Sequence, residues 1–236
     1  MAFHLVGRIV SRENQNTVIY TTYTLISEET RSLGVALAEQ HRAEKLAQEE
    51  NGQLQFLNDA SRYLLMGDNP NDAIQQTLHK MMEYFDGDRA YIFELDDEKQ
   101  MSHNSYECCA SGVISAKENL QSVPYALQQY SMTMFKNKKY ICIENIDTVS
   151  EIETTEKELV TNQGIHSLIL VPLWMGKKLI GYMGVDNPMR NITHVHHLAA
   201  LADYMSAMLQ RRNNEARILS DNRMMRDLMN DMPGGF

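Results

Sequence analysis

The chain has 236 residues, 43% of them hydrophobic, and a formal net charge of −9 at pH 7. Its longest basic cluster is the short stretch Lys136–Lys139, so the composition argues against nucleic acid as a partner. With no apolar run near the ~20 residues of a membrane span and no signal-peptide pattern, we expect a cytoplasmic protein without membrane contact.

The first predicted elements are strands. Residues 3–26 contain two runs rich in Thr, Val, Ile and Tyr, separated by the polar stretch "SRENQN", which predicts a β-hairpin. Two strands alone are marginally stable in water, so this fragment is interpreted as the end of a sheet whose other strands are absent. Residues 28–66 then predict a helix, with Leu54, Leu57, Ser61 and Leu64 at heptad spacing.

A second helix, a pair of strands and an irregular region follow. Asp68–Asn71 predicts a break and a helix cap, and apolar residues continue at helical period to Phe85. The segments "RAYIFELD" and "MSHNSYECC" predict two paired strands. Residues 110–137 show weak periodicity and predict short helices and loops, "KYICIEN" predicts a strand, and residues 150–163 predict a helix.

The most apolar part of the chain is the predicted hairpin at 167–188. Simple alternation places Leu179, Met183 and Val185 on one side of its second strand and Ile180 and Tyr182 on the other. A sheet that is apolar on both faces must be covered on both, by the long helices on one face and by the irregular segments of 110–163 on the other. Gly181 and Gly184 indicate close helix packing or space for a ligand.

A long final helix is predicted from about Thr193 to Met229. The element order gives the α+β class: an antiparallel sheet with helices on one face, loops and short helices over the other, and long N- and C-terminal helices.

The run "HSLILVPLWMGKKLIGYMGVDNP" resembles the hairpin that closes a GAF domain, and the resemblance covers residues 55–212. Residues 1–29 are similar to the last two strands of a PAS domain, 30–54 form a helical linker, and 213–236 resemble a linker helix and the start of another PAS-like domain with its Pro-Gly-Gly turn. These resemblances imply a bacterial-type multidomain signalling protein, with an output domain such as a histidine kinase or a diguanylate cyclase outside this chain.

The residue types associated with catalysis or metal binding form no convincing site. The stretch "THVHH" at 193–197 lacks a carboxylate or cysteine at ligand spacing, so these histidines are interpreted as surface residues and no metal is predicted. Three cysteines cannot form a paired disulfide framework, and Cys108 and Cys109 are interpreted as small packing residues. The motifs that surround the cysteines of GAF-type sulfoxide reductases are absent, and so is the signature of bilin-binding GAF domains. Asn137–Lys138 matches only the first two residues of the pattern found in cyclic-nucleotide-binding GAF domains. No catalytic residue is predicted.

The sequence therefore predicts a sensory GAF domain that binds an unknown small molecule, with no identified cofactor, and that forms a homodimer through its flanking helices. The candidate ligand-binding residues are Tyr106, Cys108, Tyr125, Phe135, Ile146 and Met183. Two alternatives remain open: a cysteine-dependent methionine sulfoxide reductase of the GAF type, and a dimerisation spacer that binds no ligand.

Overall fold

The computed structural model describes residues 3–13, 16–25 and 28–231, and the side chains of 32–229. The chain divides after Gly52 into two units. In the first unit, β1 (Phe3–Glu13) and β2 (Asn16–Leu25) form the predicted antiparallel hairpin, and α1 (Glu28–Met66) begins. Residues 14 and 15 of the polar turn and the terminal Pro-Gly-Gly lie outside the described residues, and the PAS-like origin of both flanks stays a prediction.

The second unit contains a six-stranded antiparallel sheet with the order β5-β4-β3-β8-β7-β6. Its helices are the end of α1, α2 (Pro70–Phe85), α3 (Gln129–Lys136), α4 (Thr154–Thr161) and α5 (Val195–Asp231). Its strands are β3 (Arg89–Asp96), β4 (Met101–Cys109), β5 (Val123–Pro124), β6 (Ile141–Ile143), β7 (Leu168–Met175) and β8 (Lys178–Asp186). The predicted α+β architecture is confirmed.

Local signals explain where α2 begins and ends. The side chain of Asn69 accepts a hydrogen bond from the Asn71 backbone amide, and Pro70 occupies the first turn, where its missing N–H costs nothing. Asp86 adopts a left-handed conformation with φ of 51° and ends the helix. The break and cap predicted from the sequence are therefore present.

The first face of the sheet, which we call the helix face, is covered by α2, α5 and the end of α1. Their core includes the fully buried residues Ile74, Leu78, Ile92, Met183, Leu198 and Met205. The heptad prediction for α1 holds only in part, because Leu64 is buried but Leu54 is 66% exposed. The buried stripe of α1 is instead Phe56, Ala60 and Leu64. Beyond Arg212, every described residue of α5 up to Met229 is exposed.

The second face, which we call the cover face, lies under α3, α4 and the connecting segments, and its core includes Phe93, Phe135, Ile165, Leu170 and Tyr182. A β-bulge changes the predicted sides of β8: Leu173 pairs with Gly181 but Trp174 pairs with Leu179, which leaves Ile180 as the extra residue. An extra residue reverses the alternation. Leu179 therefore packs on the cover face with Tyr182, and Ile180 packs on the helix face, the opposite of the simple alternation.

The two glycines of β8 make room for neighbouring strands, so the prediction of close helix packing is wrong for both. A Cβ at Gly181 would lie 2.3 Å from the carbonyl oxygen of Phe93, a backbone atom that moves only if β3 and β8 separate. A Cβ at Gly184 would lie 2.5 Å from Leu170 Cδ2 and 2.9 Å from the ring of Tyr91. These two side chains occupy the space above Gly184 on the cover face.

Among the helices within the described residues, none combines the length and the apolar character that crossing a membrane requires.

Candidate functional site

A cavity of about 70 Å³ lies between the cover face and the segments that contain α3 and α4. Much of its wall is aliphatic, and includes Ile141, Ile143, Ile146, Ile152, Ile165 and Leu168. A water molecule needs roughly 10–15 Å³ of such space, so the cavity has room for a few waters or a small organic group. Sites for larger ligands are typically ~300–1,000 Å³, so a larger guest requires the cover to move.

Glu156 holds the two helices of the cover together. It belongs to α4, is 6% exposed, and accepts hydrogen bonds from the Tyr130 amide at 2.8 Å, the Ser131 amide at 3.1 Å and the Ser131 hydroxyl at 2.7 Å. These amides belong to the first turn of α3, which has no side-chain cap of its own. A carboxylate there satisfies free N–H groups and interacts favourably with the helix dipole.

A chain of hydrogen bonds joins the sheet to the segment that precedes α3. The Tyr182 hydroxyl donates to Gln128 Oε1 at 2.8 Å, and Gln128 Nε2 donates to Ser102 Oγ at 2.8 Å. Burial raises the pKa of Tyr182 well above its ordinary value, so its hydroxyl remains a donor at any physiological pH. Gln128 is therefore held at the cavity wall from both sides.

Asp186, at the end of β8, is a buried carboxyl group at the cavity wall, with 2% exposure. The Tyr91 hydroxyl donates to its Oδ1 at 2.7 Å, and Arg89 Nη1 lies 3.6 Å from its Oδ2. Burial raises the pKa of Asp186 to about 7, although Tyr91 and Arg89 oppose the shift. The guanidinium of Arg89 instead donates to the Ile114 carbonyl, at 3.2 and 3.1 Å, so Asp186 is only partly compensated.

On β4, Glu107 and Asn104 contribute further polar groups to the wall. Glu107 Oε2 accepts from the backbone amides of Ala116 at 3.1 Å and Lys117 at 3.3 Å, and from the Ser115 hydroxyl. Asn104 Nδ2 donates to Glu107 Oε1 at 3.2 Å. Asn104 is 1% exposed, and its Oδ1 has no hydrogen-bond partner within the described part of the chain.

Three of the six sequence-predicted residues lie on or near the cover face. Ile146 lines the cavity. Phe135 packs beside it against Tyr182, with ring centroids 5.2 Å apart. Tyr125 lies in an outer groove and donates to Asp97 Oδ1 at 3.1 Å.

The other three, Tyr106, Cys108 and Met183, pack on the helix face. The reason for the first two is a bulge: Ile92 pairs with Tyr106 but Phe93 pairs with Asn104, so Ser105 is the extra residue of β4. Without it, Tyr106 and Cys108 would share a face with Asn104. Met183 is opposite Ile92 in β3 and follows it to the helix face.

Sequence reasoning missed the polar wall of the cavity, formed by Asn104, Glu107, Glu156 and Asp186. Asp186 ends an apolar strand, and a carboxylate in that position was a usable signal. Glu156 lies within an acidic run that reads as solvated surface, so its burial was not visible in the sequence.

The histidines at the start of α5 correct one expectation, because His197 is 7% exposed rather than a surface residue. Tyr84 links two of them, with its hydroxyl 2.9 Å from His194 Nδ1 and 3.2 Å from His197 Nδ1. Burial, together with His196 and His194, lowers the pKa of His197 to about 4. Across the described residues, no three histidine, cysteine or acidic side chains are arranged to hold a metal ion.

The cysteines have the properties of unreactive thiols. Burial raises the pKa of Cys108, of Cys142 and, to about 11, of Cys109. Because the thiolate is the nucleophile, all three are mainly protonated at neutral pH.

Known proteins resemble this chain in sequence and in fold. The family model of the GAF domain matches residues 69–209. The methanogenesis regulatory histidine kinase FilI of Methanothrix harundinacea (strain 6Ac) is 31% identical over 137 residues, which are 54% of this chain and only 15% of that kinase.

Two solved structures share the fold. One is the protein JSC1_58120g3 in its far-red-absorbing dark state with bound biliverdin IXa. It has 16% identity and a TM-score of 0.58 over 67% of this chain and 99% of that one. The other is the free methionine-R-sulfoxide reductase of Neisseria meningitidis in complex with its substrate, which has 12% identity and a TM-score of 0.51 over 69% of this chain and 91% of that one. At these identities the likeness concerns the fold alone.

Proposed function

Because the chain belongs to the GAF domain family, we propose that it is a cytoplasmic sensory or regulatory domain that binds a small molecule in the cavity of the cover face. The observation that carries this proposal is the cavity itself, an aliphatic space with buried polar groups in its wall. Such a combination of apolar wall and few polar groups is typical of ligand sites. The match to a small part of a histidine kinase supports an output domain of the histidine kinase type outside this chain, and an output domain of the diguanylate cyclase type stays the alternative.

The cover is the part of the domain that would yield to a ligand. Its two helices, α3 and α4, have 8 residues each, and helices this short are not stable in isolation. They depend on contacts with the sheet and on single side chains such as Glu156. A guest that replaces some of these contacts therefore opens the cover at a small cost, while the helix face keeps its packing.

A connection runs from the cavity wall to α5 through β3. Phe93 lines the cavity, and the next residue, Glu94, faces the helices. Glu94 accepts two hydrogen bonds from the guanidinium of Arg212, at 2.8 and 2.6 Å, a bidentate pair that is strong and geometrically specific. Arg212 also lies over the Tyr106 ring, 5.5 Å from its centroid. Displacement of β3 by a ligand would therefore move Glu94 and change the geometry of its ion pair with Arg212.

The neighbouring arginine fastens the same turn of α5 to the loop between α1 and α2. Arg211 donates to the carbonyl oxygens of Gly67 at 2.8 Å and Asp68 at 2.7 Å. Both contacts lie at the point where α5 leaves the domain and becomes exposed. We propose that Arg211 and Arg212 pass a ligand-dependent bias of the sheet to the outgoing helix.

The exposed half of α5 has the pattern of a helix that pairs. Ile218, Met225 and Met229 are 56%, 63% and 65% exposed and, with Asn222, follow the spacing of a heptad seam. Asparagine in such a seam favours a parallel, two-stranded register. In the first unit, Leu33 of α1 is 68% exposed. We therefore propose a homodimer through the flanking helices.

The two rival functions have less support. A sulfoxide reductase of the GAF type requires nucleophilic thiolates, whereas the pKa of each cysteine is raised. A ligand-free spacer has no use for buried polar groups at an empty cavity, which cost stability when they lack partners.

The ligand proposal is tested with a variant that fills the cavity. Ile146→Trp places a large side chain in the wall, and Ile114→Trp, at an 83% exposed position, is the matched control. Metabolite fractions should raise the melting temperature of the wild type and of Ile114→Trp but not of Ile146→Trp. Stabilisation of all three to the same extent, or of none, would contradict a ligand site in this cavity.

The coupling proposal is tested at Glu94. Glu94→Gln should lower the free energy of unfolding by about 1–3 kcal/mol, because it leaves the half-buried Arg212 without its charge partner, and should speed amide exchange in α5 near residue 212. Burial alone would raise the pKa of Glu94, but Arg212 lowers it below its ordinary value. The contribution is therefore present above about pH 4.5 and lost as the pH falls further.

The control for this variant is Asp96→Asn, on the same strand as Glu94, which removes the exposed pair between Asp96 and Lys99 and should change the free energy of unfolding much less than Glu94→Gln does. Equal effects of the two variants on α5 exchange would show that the Glu94–Arg212 pair has no special role.

A further inference from the structure

The charged groups at the cavity wall have one sign. Glu107, Glu156 and Asp186 line it, and the described lining contains no lysine, arginine or histidine. The cation nearest to Asp186 is Arg89, whose Nη1 lies at ion-pair distance, 3.6 Å from Oδ2, while its Nε and Nη2 donate to the Ile114 carbonyl. An anionic ligand would meet three carboxylates in a medium of low dielectric constant, where repulsion is strong.

Two of the three carboxylates are already satisfied by the protein. Glu156 receives three hydrogen bonds from the start of α3. Glu107 receives hydrogen bonds on both oxygens, from the 115–117 segment and from Asn104. These two groups hold the cover in place, and neither requires anything from a ligand.

Asp186 and Asn104 are not satisfied in this way. Asp186 has one close donor, the Tyr91 hydroxyl, and Arg89 lies beyond normal hydrogen-bond distance from its second oxygen. Asn104 Oδ1 has no partner among the described residues although the side chain is almost fully buried. Buried acceptors without donors are costly, so the wall lacks donors rather than acceptors.

Aromatic rings complete this part of the wall. Phe93 stacks on Tyr182 with centroids 5.0 Å apart, and Tyr91 meets Phe93 edge to face at 5.6 Å. The faces of such rings attract cations, and more strongly when water is excluded. The Asp186 carboxylate and the Asn104 amide oxygen, in a wall that also contains these aromatic rings, together form a site that prefers positive charge.

We propose that the cavity binds a small organic cation, an aliphatic ammonium compound whose charged group pairs with Asp186 while its apolar body lies against the isoleucines. A second donor on the compound would satisfy Asn104. The inference rests on the proposed function, since it names the class of ligand for the same cavity.

The protonation of Asp186 gives the proposal a second signature. Burial raises the pKa of this group to about 7, and the groups that interact with it are Tyr91 and Arg89 on β3, Glu107 on β4 and Tyr182 on β8. A bound ammonium group favours the carboxylate, so binding expels a proton from the protonated fraction. Affinity for a cation should therefore increase from about pH 6 to about pH 8, where an aliphatic amine itself stays charged.

The test uses three probes with the same carbon body: n-butylammonium, n-butanol and butyrate. Calorimetry and thermal shift at about pH 8 should show n-butylammonium binding about tenfold or more tightly than n-butanol, and no stabilisation by butyrate. Asp186→Asn should bring the first two probes to similar affinity. Asp97→Asn, at an exposed carboxylate, should leave the preference unchanged.

The outcomes separate this inference from the proposed function. Binding of butanol or butyrate in preference to the cation would overturn the inference and keep the cavity as a ligand site. Binding of none of the three would also overturn it, and the screen with Ile146→Trp would then decide the proposed function independently. If Asp186→Asn does not fold, the pH dependence in the wild type decides: an affinity for n-butylammonium that does not change between about pH 6 and pH 8 would contradict the role of Asp186.

Discussion

The two faces of the sheet are covered in different ways. The helix face lies against long helices with continuous apolar stripes, and residues such as Ile92 and Leu198 have no exposed surface. The cover face lies against two 8-residue helices and short turns, and encloses a cavity. Long helices can interdigitate along their whole length, whereas short segments cannot fill all the space above a sheet. The helix face is therefore filled by its covering helices, whereas space remains above the cover face.

The polar groups of the two faces differ too. On the helix face, the main ion pair joins Glu94 to Arg212 at the edge of the core, and each member has its partner. On the cover face, Asn104 and Asp186 lie at the cavity with incomplete hydrogen bonding. The ion pair on the helix face is thus complete, whereas the cover face has a buried acceptor, Asn104 Oδ1, that lacks a donor among the described residues.

The largest expected difference between the faces concerns deleted side chains. Leu198→Ala on the helix face should cost about 3–5 kcal/mol, because rigid helices cannot close the new cavity. Leu168→Ala, at the wall of the existing cavity, should cost about 2–3 kcal/mol, since the short cover segments can collapse or water can enter. Urea unfolding measures both, and equal losses would contradict a difference in rigidity.

A difference of intermediate size concerns pH. The folded protein binds a proton at His197 only near pH 4, while the unfolded chain does so near 6.5. This contribution to stability is complete above about pH 6.5 and is lost as the pH falls towards 4. Asp186 acts in the opposite direction, because its folded pKa of about 7 exceeds its unfolded value. Its contribution is complete below about pH 4 and is lost as the pH rises through 7.

Two single variants separate these effects. His197→Asn should reduce the loss of stability in acid, and Asp186→Asn the loss towards neutral pH, each by roughly 1–3 kcal/mol across its window. Unfolding free energies measured at intervals of pH test both, and a pH profile that neither variant changes would show that the groups titrate alike in the folded and unfolded chain.

The last comparison enlarges one side chain under each face. Ile74→Phe, in the filled core under the helix face, should cost about 1–3 kcal/mol through overpacking. Ile146→Phe, beside the cavity, should change the free energy of unfolding by less than about 1 kcal/mol, because the ring has space to enter. A large loss in the second variant would indicate that the cover face is packed as tightly as the other.

Several parts of the fold were predictable because their signals are local. The cap at Asn69, the strand from Arg89 and the apolar hairpin at 167–188 each follow from neighbouring residues, and all three are present. The GAF resemblance rested on the same hairpin. The candidate site was harder, since only Ile146 of the six proposed residues lines the cavity.

Alternation, helical period, capping and turn residues were enough to establish the order and type of the elements and the need for two covered faces, because those properties depend on residues close together in the chain. The face on which Tyr106, Cys108 and Leu179 lie was decided only in the folded protein. It depends on bulges at Ser105 and Ile180, and a bulge exists only relative to the strand that pairs with it. The burial of Glu156 and His197 likewise required partners distant in sequence, since a polar side chain becomes an interior group only where other elements supply its hydrogen bonds.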